Sequence, residues 1–338
     1  MKWESFPITL TPLTPLHIGD GAQLEAYEYV VAKGRFYRLS LDRLLLRLSP
    51  AEQESLNRYI ERDLVALRGF AREHFSPEVA EYEAEASPRF EKVYEEKLGQ
   101  AQNQLIVYPF LRSLGKPLIP GSSLKGALRT AILDHLIASP ITGDVHADTL
   151  EADTLGYMGK RRPDVPRDPL KGLRLTDISL REDQIIVEPV EIWEREDGRL
   201  ADVSIQILRE VTASTLTGQE FSLSGEIRIY EDFLNRQTAS LKEGLPRLGK
   251  ACNAFYRDRV LVEEERYFRG VKEVEDVYRS IRAEIAPNAF LIRLGWGSGV
   301  NSVSLNLRKR QPRPAKTRKL IDGRFPLGWM RVEFERAG

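Results

Sequence analysis

The stretch that decides the fold of this chain reads Ile119-Pro120-Gly121-Ser122-Ser123-Leu124-Lys125-Gly126-Ala127-Leu128-Arg129. Apolar residues recur at helical spacing from Leu124 onward, which predicts an amphipathic helix over 122–138 with Ser122 or Ser123 as its cap. Lys125 and Arg129 are four residues apart and therefore leave the helix on the same side. Cations near a helix start oppose its dipole by roughly 0.3–1 kcal/mol each. The pattern therefore indicates either a bound anion such as phosphate at this helix end or a solvated basic stripe.

Composition restricts the class of protein. The chain has 338 residues, 50 basic and 50 acidic, and its apolar runs are too short to cross a membrane. Its start shows no secretory signal pattern, and one cysteine excludes an internal disulfide framework, so we expect a cytoplasmic protein. The single cysteine and four histidines have no ligand spacing, and we predict no metal and no cofactor.

The zero net charge hides local segregation of charge. Basic residues concentrate in 301–321 and in 160–174, the latter beginning with Lys160, Arg161 and Arg162, whereas acidic residues concentrate in 78–96 and 263–276. The two basic stretches could bind phosphates while the acidic faces repel them. Each stretch could equally be a solvated loop.

Hydrophobic periodicity predicts an α+β fold with an antiparallel sheet that carries helices on one face. The predicted strands are 6–16, 173–180, 184–193, 203–211, 220–229, 289–294, 300–307 and 329–334, with a hairpin over 27–31 and 36–41. The predicted helical regions are 42–108, 122–138 and 231–286, and the main loops are 140–172 and 295–299.

Several motifs of catalysis or nucleotide binding are absent. Gly121 to Gly126 is followed by Ala127 instead of the Lys-Ser or Lys-Thr of a P-loop. Gly295 and Gly297 lack the third glycine of the dinucleotide fingerprint. His17 could be a general acid or base, or could bond the backbone in a turn. Asp177 could touch a ribose or a metal, although a role as a cap or in a turn is favoured. Trp296 could stack on a base or plug a hydrophobic gap.

A set of motifs nevertheless resembles one family. These are Thr14-Pro15-Leu16-His17-Ile18-Gly19 followed by Gly21, the 119–129 stretch, and the glycine loop 295–299. Together they resemble the RAMP superfamily of CRISPR proteins. Leu-Gly-Trp-Gly-Ser-Gly at 294–299 and the tail from Pro326 to Trp329 are most similar to the fifth subunit of the type III-A (Csm) effector complex.

The resemblance implies a modified RRM or ferredoxin-like core in a single discontinuous domain over 1–338. Residues 6–13 would form its first strand and 122–138 its first helix, with a helical insertion at 42–108 and a thumb-like loop at 140–172. It also implies a non-catalytic, RNA-binding subunit that caps the guide RNA and the backbone filament at the 3′ end and supports guide RNA maturation. The implied partners are guide RNA, the backbone RAMP subunit and recruited host ribonucleases. The predicted RNA-binding residues are His17, Gly19, Gly21, Ser122, Ser123, Lys125, Arg129, Lys160, Arg161, Arg162, Gly295, Trp296, Gly297 and Gly299.

Two other hypotheses follow from the same sequence. The related backbone subunit that cleaves target RNA uses an aspartate after its His-Ile-Gly motif, whereas residues 22–27 here offer only Glu25, which argues against target cleavage. A metal-independent, repeat-processing endoribonuclease of the same superfamily would use His17 and a nearby lysine or tyrosine for acid–base cleavage. A purely protein-binding cap would suit the neutral total charge.

Overall fold

A computed structural model describes residues 2–102, 104–143, 145–196, 199–313 and 316–335. Its α-helices are α1 Leu41–Leu45, α2 Pro50–Arg62, α3 Leu64–Glu73, α4 Pro88–Lys97, α5 Gly121–Leu136, α6 Ala147–Leu155, α7 Ser214–Thr217, α8 Leu245–Cys252, α9 Leu261–Tyr267, α10 Lys272–Ala283 and α11 Val300–Val303. A π-helix, Asn253–Val260, joins α8 to α9. Short 3₁₀ turns are Pro77–Val79, Val165–Arg167, Pro169–Gly172, Glu182–Gln184, Glu231–Phe233, Ala239–Glu243 and Asn306–Arg308.

The strands alternate with these helices along the chain. They are β1 Trp3–Pro12, β2 Tyr29–Ala32, β3 Arg35–Leu39, β4 Ala80–Ala86, β5 Val107–Tyr108, β6 Arg112–Ser113, β7 Lys116–Ile119, β8 Leu173–Leu175, β9 Ile178–Ser179, β10 Ile185–Glu196, β11 Arg199–Thr212, β12 Leu223–Tyr230, β13 Ala289–Arg293, β14 Thr317–Ile321, β15 Phe325–Pro326 and β16 Trp329–Phe334.

The central sheet is antiparallel and has the strand order β13-β16-β1-β12-β8. Alternation along β1 and β12 sends Ile8, Leu10, Ile227 and Ile229 to one face, where they are buried in the same core as Leu124 of α5 and Leu248 of α8. The predicted antiparallel sheet is confirmed for this layer, with α5 and α8 on one face, whereas the end of α10 contacts Arg331 of β16 on the other face.

A second sheet has the order β15-β14-β10-β4-β3-β2, and β11 pairs with both β10 and β5. It is mixed, because β4 runs parallel to β10 and β5 runs parallel to β11. In the long β10–β11 hairpin, Arg209 lies opposite Glu188 and Glu210 lies opposite Val187. Both residues are close to the C-terminal end of β11. This hairpin joins the two layers, since Thr212 donates its backbone N–H to Leu16 just after β1.

Two secondary-structure predictions are wrong. The 42–108 segment is not purely helical, because β4 pairs with β3 and β10 inside the second sheet. Residues 300–307 form α11 and a 3₁₀ turn instead of a strand. Both errors have one cause: acidic and small residues in β4, and serines and asparagines in 300–307, give periodicities that tertiary contacts override.

The 140–172 segment is more ordered than a loop. It contains α6 and two 3₁₀ turns, and Met158 pairs with Pro163 across a tight turn. Left-handed Gly156 ends α6 with φ 72°. None of the described helices combines the length and the apolar character needed to cross a lipid bilayer.

Candidate nucleic-acid interface

Two glycine-containing loops meet at one end of the central sheet. The backbone N–H of Trp296 donates to the carbonyl oxygen of His17 over 2.8 Å. Gly295 has φ 81°, and a Cβ there would lie 2.4 Å from the same carbonyl oxygen. Only glycine fits this close approach, so the sequence motifs at 17–21 and 295–299 form one structural unit.

His17 is buried at the centre of this unit, with 1% of its surface exposed. Its Nδ1 donates to the carbonyl oxygen of Glu210 over 2.7 Å, and its Nε2 accepts from Nη1 of Arg209 over 2.7 Å. Burial and the Arg209 charge lower the pKa of His17 to about 4. The ring is therefore neutral with both nitrogens engaged, which fits the turn-bonding role and leaves no free nitrogen for acid–base catalysis.

Arg209 is a candidate site residue that the sequence analysis missed. Its side chain lies 3.6 Å over the ring of Trp296 and 4.2 Å from the ring of Tyr108, and the residue is only 8% exposed. No described carboxylate forms an ion pair with it, and its Nε has no hydrogen-bond partner among the described atoms. Burial lowers its pKa to about 10. A buried guanidinium without a counter-ion is costly, and an external anion would relieve that cost.

Glu210 does not supply the missing counter-ion, although it is the next residue along β11. Successive side chains in a strand point to opposite faces, so Glu210 turns away from Arg209 into the core. It accepts the Phe110 backbone N–H over 2.7 Å and pairs with Arg112 Nη2 over 3.2 Å. A sequence signal for this arrangement was the pair of adjacent charges between the apolar residues Leu208 and Val211 of β11.

A cavity of 390 Å³ opens beside Arg209. Its lining comprises His17, Ile18, Gly19, Gly21, Ala22, Tyr108, Pro109, Arg209, Gly295 and Trp296. Lys319 of β14 adds a second cation 5.7 Å from the Trp296 ring, with its pKa lowered by burial and by the charges of Arg318 and Arg209. The cavity thus combines positive charge, an aromatic wall and glycine backbone, the features that bind a phosphate group beside a base.

The remaining glycines have different surroundings. Gly297 has φ 86°, and a Cβ added at this position would lie 3.3 Å from the Cβ of Leu327. Gly299 and Gly21 adopt φ 78° and 92° with open space around them. Trp296 is half-buried against both His17 and Arg209. Its ring therefore lines the cavity and also fills the space next to these two side chains.

The predicted serine cap of α5 is wrong. The helix begins at Gly121 with Pro120 as its N-cap and no capping bond from a side chain of that residue. Asp177 accepts the Gly121 backbone N–H over 2.7 Å, which confirms its capping role. A Cβ on Gly121 would lie 2.3 Å from the Leu175 carbonyl oxygen, so the helix end is pressed against β8. A carboxylate of the chain itself lies at the helix end where the sequence allowed either an external anion or a solvated basic stripe.

The basic side chains near α5 divide into paired and unpaired ones. Arg129 pairs with Asp168 over 2.9 Å and with Glu151, and lies 3.2 Å from the Tyr157 hydroxyl, so its charge is neutralised internally. Lys125 is half-buried and forms no ion pair with the described residues. Burial, opposed by Asp168 and aided by Arg129, lowers its pKa.

Lys160, Arg161 and Arg162 occupy the tip of a tight turn and are exposed. The turn is closed by the Gly159 backbone N–H donating to the Arg162 carbonyl over 3.0 Å. Ser122 is exposed and Ser123 is half-buried in the first turn of α5. Within the described ranges, no group of three His, Cys, Asp or Glu side chains has the geometry of a metal site.

Comparison with known proteins gives the class of this protein. The sequence model of the RAMP superfamily matches residues 9–240, more than half of the chain. The chain belongs to the RAMP superfamily, whose membership implies a ferredoxin-like core within the mixed α+β fold.

Within the superfamily the chain resembles Csm5 of the type III-A CRISPR complex. It is 25% identical over 284 residues to the protein named CRISPR system Cms protein Csm5 of Streptococcus thermophilus, which covers 76% of this chain and 71% of that protein. A chain of the cryo-EM structure of a Csm-crRNA-target RNA ternary complex in a type III-A CRISPR-Cas system has the same fold, with TM-score 0.69, 22% identity and coverage of 98% and 100%. The crystal structure of T. onnurineus Csm5 gives TM-score 0.61, 21% identity and coverage of 95% and 99%.

We expect His17 to make the stability of the chain depend on pH. Because the pKa falls from 6.5 to about 4 on folding, the unfolded chain binds the proton first, and stability falls as the pH drops from 6.5 towards 4. The loss attributable to His17 at pH 5 is about 2 kcal/mol. Urea unfolding of the unmodified chain and of His17→Gln at pH 7 and pH 5 measures it. Glutamine keeps a donor and an acceptor but does not titrate, so an equal pH dependence of both proteins would contradict the assignment.

Proposed function

We propose that this chain is a non-catalytic RNA-binding subunit of a type III-A CRISPR effector complex. In this proposal it caps the 3′ end of the guide RNA and of the backbone filament and supports guide RNA maturation in the cytoplasm. Its partners are the guide RNA, the backbone RAMP subunit and the host ribonucleases that it recruits. The whole chain, 1–338, acts as one discontinuous domain with insertions at 42–108 and 140–172.

The observation that carries the RNA-binding part is the buried, uncompensated Arg209 at the cavity between the two glycine loops. A phosphate in the cavity would supply the missing counter-ion for Arg209 and Lys319. A base next to that phosphate could reach the exposed part of the Trp296 ring. Such contacts carry little sequence information, so binding should be tolerant of RNA sequence and sensitive to salt.

The exposed turn 159–162 supports a second contact. Its three cations lie outside the core, whereas Arg129 and Asp168 fix the base of the segment through their ion pair. A rigid base with a charged tip suits insertion along an RNA backbone. We therefore assign the predicted thumb-like role to the tip and a structural role to Arg129.

The non-catalytic part is supported by the enclosure of His17. An acid–base nuclease needs an accessible nitrogen near a scissile phosphate, and both His17 nitrogens are hydrogen-bonded inside the protein. Glu25 lies half-buried in the turn before β2, on a backbone held by Glu28.

The test is incubation of the purified chain with labelled guide RNA and repeat RNA, with and without divalent metal, reading both binding and cleavage. Salt-dependent binding without cleavage in either condition is the expected result. Cleavage that persists in chelator and is lost in His17→Ala or Glu25→Ala would replace the proposal by the endoribonuclease. Absence of any RNA crosslink to the chain within the assembled complex would replace it by the protein-binding cap.

Removing the three cations of the turn should change the salt dependence of RNA binding. We expect Lys160→Ala with Arg161→Ala and Arg162→Ala to reduce the slope of log K against log salt by about two, since each phosphate contact with a single strand contributes about 0.7. A titration from low to high salt measures the slope. Lys92→Ala with Lys97→Ala on α4 is the control, and an equal slope in both variants would remove this turn from the interface.

A further inference from the structure

The outer face of the central sheet carries two stacked aromatic rings. Trp3 of β1 and Tyr230 of β12 are directly paired across the strands, with ring centroids 6.0 Å apart and an angle of 28° between planes. Trp3 is 50% exposed. An exposed tryptophan on a sheet is uncommon unless something covers it.

Guanidinium groups cap both rings. Arg174 of β8 lies 4.8 Å from the Tyr230 ring centroid, and Arg228 of β12 lies 5.5 Å from the Trp3 ring centroid. Arg228 and Arg174 face each other across β12 and β8. Arg228 pairs with Glu226 over 2.6 Å, whereas Arg174 forms no ion pair with the described residues. Cation–aromatic contacts of this kind help to hold the two rings in position.

A basic patch borders this face at the edge strand β8, where the start of α5 packs against Leu175. Burial is the main cause that lowers the pKa of Lys125 of α5, and the nearby positive charges of Arg174 and Lys171 lower it further. None of these three cations has an ion-pair partner in the described part of the chain. Acidic groups follow directly after Tyr230, where Glu231 pairs with Nζ of Lys2 and Asp232 accepts the Lys2 backbone N–H. The unpaired cations Arg174 and Lys171 therefore lie on the β8 side of the rings.

The half of this face around Trp3 is exposed because the helices that pack on the sheet cover its opposite face or its other half. The helices α5 and α8 cover the opposite face, through the core that contains Ile227 and Ile229. The helix α10 reaches only the far half of the outer face, where Glu284 at its end pairs with Arg331 of β16. The half formed by β1, β12 and β8 keeps Trp3, Pro7 and Arg174 exposed.

We propose that this half of the sheet is a stacking platform for single-stranded RNA, separate from the cavity at Arg209. Two aromatic residues on adjacent central strands are the arrangement with which sheets of the RRM type stack successive bases. Unpaired cations beside the rings would bind the phosphates that join those bases. The platform lies at the start of β1, and the ten residues of that strand place it about 30 Å from the cavity. It rests on the proposed function only in taking RNA as the ligand.

The test measures binding of a short single-stranded oligonucleotide to the full chain. We expect Trp3→Ala to weaken binding about 5- to 100-fold, because a lost stacking contact removes one base from the interface. The slope of log K against log salt should stay unchanged, since no phosphate contact is lost. Trp3→Phe is the matched control and should keep most of the affinity, because it keeps a ring. Ultraviolet crosslinking followed by mass spectrometry should place the RNA on Trp3 or Tyr230.

Two outcomes would overturn the platform. The first is unchanged affinity in Trp3→Ala and in Tyr230→Ala, with crosslinks only at the loops 17–21 and 295–299. The second is protection of Trp3 by a protein subunit in the assembled complex with no RNA crosslink on this face. Since both leave binding at Arg209 intact, failure of the platform and failure of the proposed function are distinguishable.

Discussion

Replacement of Arg209 by glutamine should lower the affinity of the chain for single-stranded guide RNA by roughly 10- to 100-fold. A hydrogen bond to a charged group contributes about 1.5–3 kcal/mol, and here the guanidinium would be the chief buried partner of the phosphate. The salt slope should fall by about 0.7, the amount for one phosphate contact. Electrophoretic shift or fluorescence anisotropy over a salt series measures both quantities.

The same substitution should leave the free chain folded and no less stable. Arg209 has no described counter-ion, so removing its charge relieves a desolvation penalty, while the glutamine amide can still donate to Nε2 of His17. The control is Arg199→Gln, an exposed position on the same strand. Unchanged RNA affinity in Arg209→Gln, with the control also unchanged, would show that no phosphate enters the cavity.

Replacement of Glu264 by alanine should destabilise the chain by about 3–5 kcal/mol. Glu264 is buried with 2% exposure and binds two buried arginines, with 2.8 Å to Arg318 Nε and 3.0 Å to Arg293 Nη1. Removing one partner of a buried ion pair leaves uncompensated charge in the interior. Here the loss would leave two guanidiniums, one on β13 and one on β14, without their shared carboxylate.

Urea unfolding at pH 7 measures this loss against Glu265→Ala. Glu265 is the next residue on α9 and pairs with Arg282 at the surface over 2.7 Å, so its removal should change stability by less than about 1 kcal/mol. Equal midpoints for the two variants would contradict the role of Glu264. The effect bears on function, because Arg318 is next to Lys319 in β14, and a displaced β14 would move Lys319 away from Trp296.

The sequence predicted those elements whose pattern has one interpretation. The hairpin β2–β3 follows from two apolar runs around Lys33-Gly34, and its residues Val31 and Phe36 are indeed paired. The helix α5 follows from the apolar stripe after Leu124, and β10, β11, β12 and β16 follow from alternation. These patterns are local, and the packing agrees with them.

The features that the sequence did not predict depend on residues that are distant along the chain. The cap of α5 comes from Asp177, 56 residues away, and the serines next to the helix are unused. The strand β4 is a strand because β3 and β10 flank it. Lys319 and Arg209 lie far apart in the chain and meet only because β14 and β11 both border β10.

The candidate site shows the same division. The glycine motifs identified the two loops, because close approach of backbones requires glycine. They did not identify Arg209, since an arginine inside a strand is usually an exposed or paired residue and its lack of a counter-ion is visible only in three dimensions. His17 was assigned two roles by the sequence, and its two hydrogen bonds distinguish them.

Because β16 lies at the C-terminal end of the sequence, the central sheet can be completed only when synthesis of the chain is almost finished. β1, residues 3–12, lies between β12 and β16, and β16 ends at residue 334. At a synthesis rate of about 5–20 residues per second, the ribosome needs roughly 15 to 65 seconds between these two strands. Throughout that interval one edge of β1 lacks its neighbour, and an unpaired strand edge is a template for association with other chains. Production of this chain in a cell is thus expected to depend on holding the nascent chain apart from its copies until residue 334 has emerged.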